Sequence, residues 1–317
     1  MDTIPNEVLR MILSHLSINQ RKKIFTVARI WTYLMLTFPK YPKEYSCINQ
    51  FDIGYCHNTC WTKPVTIYSP DKNEDLIVIN NNFKIMIFDQ NGYKCKEFGE
   101  PGYGDGQFNC IEGLAVNINH HKIIISDSNN HRIQIFDYDG IFIMKFGSQG
   151  IDSGKLFHQK DVAIDHQTDN IIVRDNYRIQ VFNENGDFLF KFDIYEPMWK
   201  IATNQITSDV LVMPYESNEI YIYNKEKIIS KIVPEIRCNN FHRNWGLLLT
   251  NDDMIIISYS NYSNNDYIQI FDINKIFNYI IDFKKITNDI LFGLTVLPNG
   301  SLVCKGENKI YIFKPDY

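Results

Sequence analysis

The chain has 317 residues, of which 44% are hydrophobic and 22% are charged, as expected for a soluble globular protein with one large domain and a small appendage. Its formal net charge of -5 argues against a protein that grips a nucleic-acid backbone over a broad surface. The first residues lack the features of a secretory signal and no apolar run is long enough to span a membrane, so we expect a cytosolic or nuclear protein without membrane contact.

The first 40 residues have the pattern of two short amphipathic helices. An apolar stripe through Val8, Leu9, Ile12, Leu13 and Leu16 predicts a helix that begins near Pro5. A capping box at residues 17–20 predicts the start of a second helix. Because so small a segment cannot bury its own stripe, it must pack on the rest of the chain or on a partner.

Three stretches of this segment resemble an F-box: Ile4 to Leu9, Ile12 to Leu16, and Val27 to Leu34. The resemblance implies that residues 1–40 dock a Skp-family adaptor and, through it, a cullin ubiquitin ligase. The adaptor contacts that it implies are apolar anchors: Pro5, Leu9, Ile12, Leu13, Leu16, Val27 and Trp31. The alternative is that the same stripe packs onto the chain's own larger domain as a simple cap.

One cysteine cluster has residue types that could bind a metal ion. Cys56, His57 and Cys60 lie close together in the sequence, with Cys47 nearby. A structural zinc site needs four ligands from paired motifs, and the second pair is missing. We therefore predict neither a metal nor a cofactor, and the seven scattered cysteines suggest reduced thiols.

The rest of the chain is built from repeats. An alternating apolar tetrad ends in an aromatic residue at six positions, 41 to 48 residues apart: Phe88, Phe136, Phe182, Tyr223, Phe271 and Phe313. Within one unit, four short runs rich in β-branched residues are separated by Asn, Asp and Gly, which predicts four strands per unit. Four strands at this period indicate β-propeller blades, so we predict a mainly β, six-bladed propeller behind the α-helical segment.

Two of the units resemble NHL repeats. The first match runs from Phe98 to Gly147 and the second from Gly154 to Phe192. In this setting Asp127, His131 and Arg132, which could otherwise suggest acid-base catalysis, are predicted to form the turn between the second and third strands of a blade. The unit at residues 174–178 reuses the Asp and the Arg without the His, which also favours a structural role.

The last predicted blade lacks its own outer strand, because only four residues follow Phe313. We expect residues 45–52 to supply that strand, since an open sheet edge would otherwise remain. The predicted domains are therefore an F-box-like segment at 1–40, a linker with the closing strand at 41–61, and the propeller at 62–317.

Together these parts predict a non-enzymatic, substrate-recognition subunit of a Skp-cullin-F-box ligase, whose propeller holds the target protein. Propellers usually bind through the loops that follow the second and fourth strands of each blade. Candidate target contacts there are residue types enriched at binding hot spots: Tyr103, Arg174, Tyr177, Trp199, Tyr215, Tyr259 and Tyr262.

Other functions stay open, and one of them is a general protein-binding NHL propeller with a helical cap. An RNA-binding NHL propeller would use basic side chains on the same loops: Arg132, Arg174, Arg178 and Arg243. A metal-dependent propeller hydrolase would need carboxylate, Asn or His side chains that converge from the inner strands, and Asp161, Asn117 and Asn204 are the few candidates there.

Overall fold

The protein is described by a computed structural model. It describes residues 44–53, 65–69, 74–81, 83–89, 91–194, 198–204, 207–214, 219–224, 227–233, 241–250, 254–261, 266–272, 278–283, 291, 293–297, 301–306 and 309–316. Strands dominate these residues, and one complete 3-10 turn, Ser128–Asn130, lies between two of them. The described part of the chain has no helix long and apolar enough to cross a membrane.

The first strand, β1 (Glu44–Asp52), precedes the first contiguous sheet, blade 1. Blade 1 contains β2 (Val65–Ser69), β3 (Glu74–Asn81), β4 (Lys84–Phe88) and β5 (Lys94–Phe98). A short parallel pair, β6 (Glu100–Pro101) and β7 (Gln107–Phe108), follows it. Blade 2 contains β8 (Ile111–Asn117), β9 (Lys122–Asp127), β10 (Arg132–Asp137) and β11 (Phe142–Phe146).

The next three blades have the same plan of four consecutive antiparallel strands. Blade 3 contains β12 (Gln159–Asp165), β13 (Asn170–Asp175), β14 (Arg178–Phe182) and β15 (Phe188–Asp193). Blade 4 contains β16 (Met198–Thr203), β17 (Val210–Pro214), β18 (Ile220–Asn224) and β19 (Lys227–Ile232). Blade 5 contains β20 (Phe241–Leu249), β21 (Met254–Asn261), β22 (Asp266–Asp272) and β23 (Asn278–Asp282).

The remaining four-stranded sheet joins distant parts of the chain, and we call it the composite sheet. Its strands are β24 (Gly293–Val296), β25 (Leu302–Lys305), β26 (Lys309–Asp316) and β1, in that order. Strand β1 runs antiparallel to β26 from Glu44 opposite Asp316 to Asp52 opposite Lys309. Residues 44–52 thus occupy the outer position that the sequence analysis assigns to residues 45–52.

Two parts of the predicted fold class need correction. The propeller has five blades of consecutive strands, not six, and its remaining sheet is the composite of β1 with β24 to β26. The tetrad count missed this difference because it marks third strands only, and the tetrad at 310–313 has no fourth strand after it. In addition, the described residues contain no α-helix, so the predicted F-box-like helical segment is unsupported; residues 1–40 lie outside them.

The sheets are arranged in a ring. The inner strands β2, β8, β12, β16, β20 and β24 contact one another in turn, and β24 contacts β2. Each interface between neighbouring sheets holds a cluster of buried apolar side chains, such as Ile85 and Ile87 of blade 1 against Leu114 of blade 2. Burial of an Ile or Leu side chain contributes roughly 1.5 to 3 kcal/mol, so these interfaces hold the ring together.

Candidate binding face at the connector loops

Two connectors between blades are held by networks of buried polar side chains. The first connector is residues 99–110, between blades 1 and 2, and the second is residues 147–158, between blades 2 and 3. Both lie on the face of the ring that carries the turns between second and third strands. We call this the connector face.

A buried Asp-Arg-Gln set in blade 2 fixes the first connector, and we call it a connector clamp. Arg132 donates from Nε to Asp127 Oδ2 at 2.9 Å, from Nη1 to the Tyr103 carbonyl at 2.8 Å, and from Nη2 to the Gly104 and Gln107 carbonyls, both at 2.8 Å. Gln134 also donates to the Gln107 carbonyl at 2.8 Å. Gln134 also accepts the Gly106 amide at 3.0 Å. Since Arg132 and Gln134 bind only backbone groups of the connector, they place no demand on its side chains.

Blade 3 has a second connector clamp with the same geometry. Arg178 Nε donates to Asp175 Oδ2 at 2.8 Å, and Nη2 donates to the Lys155 carbonyl at 2.9 Å. Arg178 Nη1 donates to the Ile151 carbonyl, and Gln180 donates to the Lys155 carbonyl at 2.6 Å. The two connectors are therefore held by equivalent arginines at equivalent carbonyls.

The clamps present two exposed side chains at matching places. Tyr103 is 77% exposed and Ile151 is 76% exposed, although the carbonyl of each residue is fixed by a buried arginine. Tyr103 also lines an open cleft of about 290 Å³ with Phe83, Pro101, Gly102, Phe108 and Asn109. An exposed side chain on a rigid backbone binds with a smaller entropy cost than one on a mobile loop.

The candidate target residues are found in different environments. Tyr103 and Tyr177 are exposed on the connector face. Tyr259 is fully buried in the cluster between blades 4 and 5 and stacks on Tyr267, and Arg174 is buried in β13. The backbone of Trp199 lies in β16, but its side chain is outside the description, as are Tyr215 and Tyr262.

The adaptor contacts implied by the F-box resemblance lie outside the described residues altogether. They are Pro5, Leu9, Ile12, Leu13, Leu16, Val27 and Trp31. Sequence reasoning also missed two exposed residues of the connector face, Ile151 and Phe83. Alignment of the connectors at Gly102 and Gly150 would have found Ile151, since it then matches Tyr103.

His131 lies in the turn between β9 and β10 and has a left-handed backbone with φ of 53°. Its ring stacks on Phe157 at 5.7 Å between centroids, and its Nδ1 accepts a hydrogen bond from the His158 amide at 3.3 Å. Burial, and then the charge of His158, lower the pKa of His131. These contacts join the turn to the second connector, which is a structural role.

A second polar cluster lies where the inner strands of blades 2 and 3 begin, and we call these positions the inner ends of the blades. Lys160 Nζ donates to Glu112 Oε1 at 2.6 Å across the two blades. Both residues lie at irregularities where β8 and β12 shift register. The buried Asp161 accepts backbone amides from Val162 and from Ile201 of blade 4, both at 3.0 Å.

The described residues contain no candidate metal site, because no group of three or more His, Cys, Asp or Glu among them could hold an ion. Cys56, His57 and Cys60 lie outside the description. Burial, and then the nearby Glu112 carboxylate, raise the pKa of the Cys110 thiol to about 12. This cysteine is therefore a weak nucleophile.

Comparison with known proteins supports the fold and one repeat. A family model described as the NHL repeat matches residues 108–136, and no curated protein matches the chain. A streptogramin B lyase structure is similar, with 14% identity, coverage of 79% of this chain and 78% of that chain, and a TM-score of 0.56. A protein of Bacteroides fragilis NCTC 9343 described as exported has 10% identity, coverage of 86% of this chain and 95% of that chain, and a TM-score of 0.57.

These findings confirm an NHL repeat within a β-propeller, and they show no F-box. At such low identity the two structures show a shared fold and nothing about chemistry or partners.

Proposed function

We propose that this propeller binds a protein target through its connector face, and that it acts by binding rather than by catalysis. The observation that carries the proposal is the matched presentation of Tyr103 and Ile151, each exposed on a connector that a buried arginine holds. Tyrosine is enriched among binding hot spots in protein interfaces, and a preorganised surface lowers the entropy cost of binding. The cleft beside Tyr103 offers a place for one side chain of the target.

Single-stranded RNA is a weaker candidate for this face. Of the four arginines that could contact a phosphate backbone, Arg132 and Arg178 are buried and donate to Asp carboxylates and connector carbonyls. Arg174 is also buried, and the side chain of the fourth, Arg243, lies outside the description. A basic surface for RNA would need arginines that are free to leave the protein interior.

The F-box resemblance implies a more specific role, in which the target bound by the propeller is brought to a ubiquitin ligase. It depends on residues 1–40, which lie outside the described residues, and the family comparison finds an NHL repeat and no F-box. The proposal is therefore limited to target binding by the propeller.

The test compares two double variants of the full chain. Tyr103→Ser with Ile151→Ser removes the exposed pair of the connector face. Tyr93→Ser with Ile141→Ser removes a matched pair, 73% and 63% exposed, from turns on the opposite face. Both variants are expected to fold like the parent, because exposed side chains contribute little to stability.

Proteins captured by the parent and by each variant are quantified by mass spectrometry, and the best candidate is then purified for a direct affinity measurement. We expect the connector-face variant to bind the purified target about 10-fold or more weakly, while the opposite-face variant keeps parental affinity. Equal losses, or no loss in either variant, would show that the connector face is not the binding surface. A steep salt dependence of binding to single-stranded RNA would instead favour an RNA-binding propeller.

A further inference from the structure

One buried arginine differs from the other two in its hydrogen bonding. Arg132 and Arg178 each donate to an Asp carboxylate and to several connector carbonyls. Arg174 is just as buried, with 6% of its surface exposed, yet its Nε and Nη1 have no hydrogen-bond partner in the described chain. A buried donor without a partner costs free energy, and the cost is larger for a charged group.

Arg174 lies at the edge of the connector face, between blades 3 and 4. It is the residue before the last in β13, opposite Asp161 of β12, and the exposed turn residue Tyr177 follows three positions later. By strand alternation its side chain shares a face with Ile172, which packs in the cluster that also contains Ile201 of blade 4.

The carboxylates around Arg174 are engaged elsewhere. Asp161 accepts two backbone amides, one from its own blade and one from blade 4. Glu112 accepts from Lys160, and Asp175 accepts from Arg178 and from the Phe157 amide. Burial lowers the pKa of Arg174 to about 10 although Asp161 and Glu112 act in the opposite direction, so these charges only partly offset the cost of burial.

The fold itself does not require an arginine at this position. After the same register shift, Gly113 of blade 2 pairs with Ser126, and Lys200 of blade 4 pairs with Met213, as Asp161 pairs with Arg174. The equivalent second-strand residue is thus a serine in one blade and a methionine in another. A buried arginine that the backbone plan does not need, and whose Nε and Nη1 have no hydrogen-bond partner in the described chain, suggests a ligand.

We propose that Arg174 binds a carboxylate group that enters between blades 3 and 4 from the connector face. Each of the partnerless donors Nε and Nη1 forms a planar fork with Nη2, and such a fork matches the two oxygens of a carboxylate. Two sources share this chemistry, namely a small organic acid and an acidic side chain of the bound target. The site is separate from Tyr103 and Ile151, so it can exist even if the proposed target binding is wrong.

The test follows the Arg174 guanidinium directly by NMR. The full chain is labelled with ¹⁵N-arginine, and the Nε–H resonance of Arg174 is identified by its loss in Arg174→Met. Acetate and the peptide acetyl-Gly-Asp-Gly-amide are then titrated separately at constant ionic strength, with sulfate as a tetrahedral control. Lys145→Met serves as the matched control, since it removes an exposed cation at a distance from this site.

We expect a saturable shift of the Arg174 resonance with acetate, with the peptide, or with both, and the identity of the active probe assigns the source. Arg174→Lys, which keeps the charge but loses the planar fork, should weaken binding about 10-fold or more, whereas Lys145→Met should not. No saturable shift with either carboxylate would overturn the proposal. An equal shift with sulfate would also overturn it, since the site would then not select a carboxylate.

The stability of Arg174→Met in buffer without carboxylates distinguishes a ligand-binding arginine from a structural one. Met213 shows that a methionine fits the equivalent position, so Arg174→Met should unfold at the same denaturant concentration as the parent or at a higher one. A clear loss of stability, or failure to fold, would mean that Arg174 has a structural partner, and the proposal would be wrong.

Discussion

Blades 2 and 3 are nearly identical where they hold the connectors and different at their inner ends. At the connectors, Asp127, Arg132 and Gln134 of blade 2 have the same partners as Asp175, Arg178 and Gln180 of blade 3. At the inner ends, the corresponding pairs are Glu112 and Lys160, Gly113 and Asp161, and Ser126 and Arg174.

The difference between these regions has a physical cause. A clamp binds backbone carbonyls and amides, so its residues are fixed by the path of the connector, whatever side chains the connector carries. The inner ends lie next to register shifts and face other blades, so no such requirement acts on them. The repeated region therefore serves as a frame, and binding specificity should come from residues that differ between the blades, such as Tyr103, Ile151 and Arg174.

The largest expected effect comes from breaking one clamp. Arg178→Met leaves Asp175 buried without its charged partner and frees the connector carbonyls of Ile151 and Lys155. We expect a loss of about 3 to 5 kcal/mol in the free energy of unfolding, measured by urea denaturation. Arg174→Met is the control, since it makes the same substitution at a buried arginine of the same blade. Equal losses of unfolding free energy in the two variants would show that the clamp arginine contributes no more to stability than the arginine at the inner end.

A smaller loss is expected when the path of a connector is strained. Gly99 begins the first connector with φ of +95°, and a Cβ there would lie 2.7 Å from the Phe83 carbonyl oxygen. Gly99→Ala should cost about 1 to 3 kcal/mol, because both the backbone conformation and the close contact oppose it. Gly106→Ala is the control: φ is +77° but no atom lies within 4 Å of the added Cβ. Thermal unfolding of both variants should show the greater loss at Gly99.

The sequence predicts the clamp residues better than it predicts which candidate contacts lie on the surface. The shared Asp and Arg of the two NHL-like units predict a structural turn, and Asp127 and Arg132 do hold one. The bonds from Arg132 to the Tyr103 and Gly104 carbonyls are not predictable, because a backbone carbonyl has no signature in the residue types. The count of six blades failed because a third-strand tetrad does not show whether a fourth strand follows it. The outer strand of the last sheet was expected separately at residues 45–52, where β1 lies.

Strand ends explain the weak prediction of target contacts. Arg174 and Tyr259 were assigned to loops, yet β13 extends to Asp175 and β21 to Asn261. Neither strand end is marked by Gly or Pro. The sequence therefore predicts that each strand ends too early and assigns both residues to turns. Tyr103, in contrast, is flanked by Gly102 and Gly104, and it is exposed in a connector.

The smallest expected effect is a pH dependence at the contact between the β9–β10 turn of blade 2 and the second connector. Burial and the charge of His158 lower the pKa of His131 below its ordinary value of 6.5, so the folded protein favours neutral His131. The unfolded chain therefore binds a proton more readily than the folded protein. The free energy of unfolding should be constant above the ordinary pKa and fall as the pH drops below it. Protonation of Nδ1 would also remove the acceptor for the His158 amide.

Urea unfolding at several pH values between about 5.5 and 7.5 measures this dependence in a window where most carboxylates stay ionised. His131→Gln should reduce the slope of stability against pH. His166, whose pKa is also lowered by burial, should account for part of the remaining slope, which His166→Gln would remove. If His131→Gln unfolds with the parental slope, the contact of its ring with Phe157 and His158 does not influence its protonation, and the turn is joined to the second connector by packing alone.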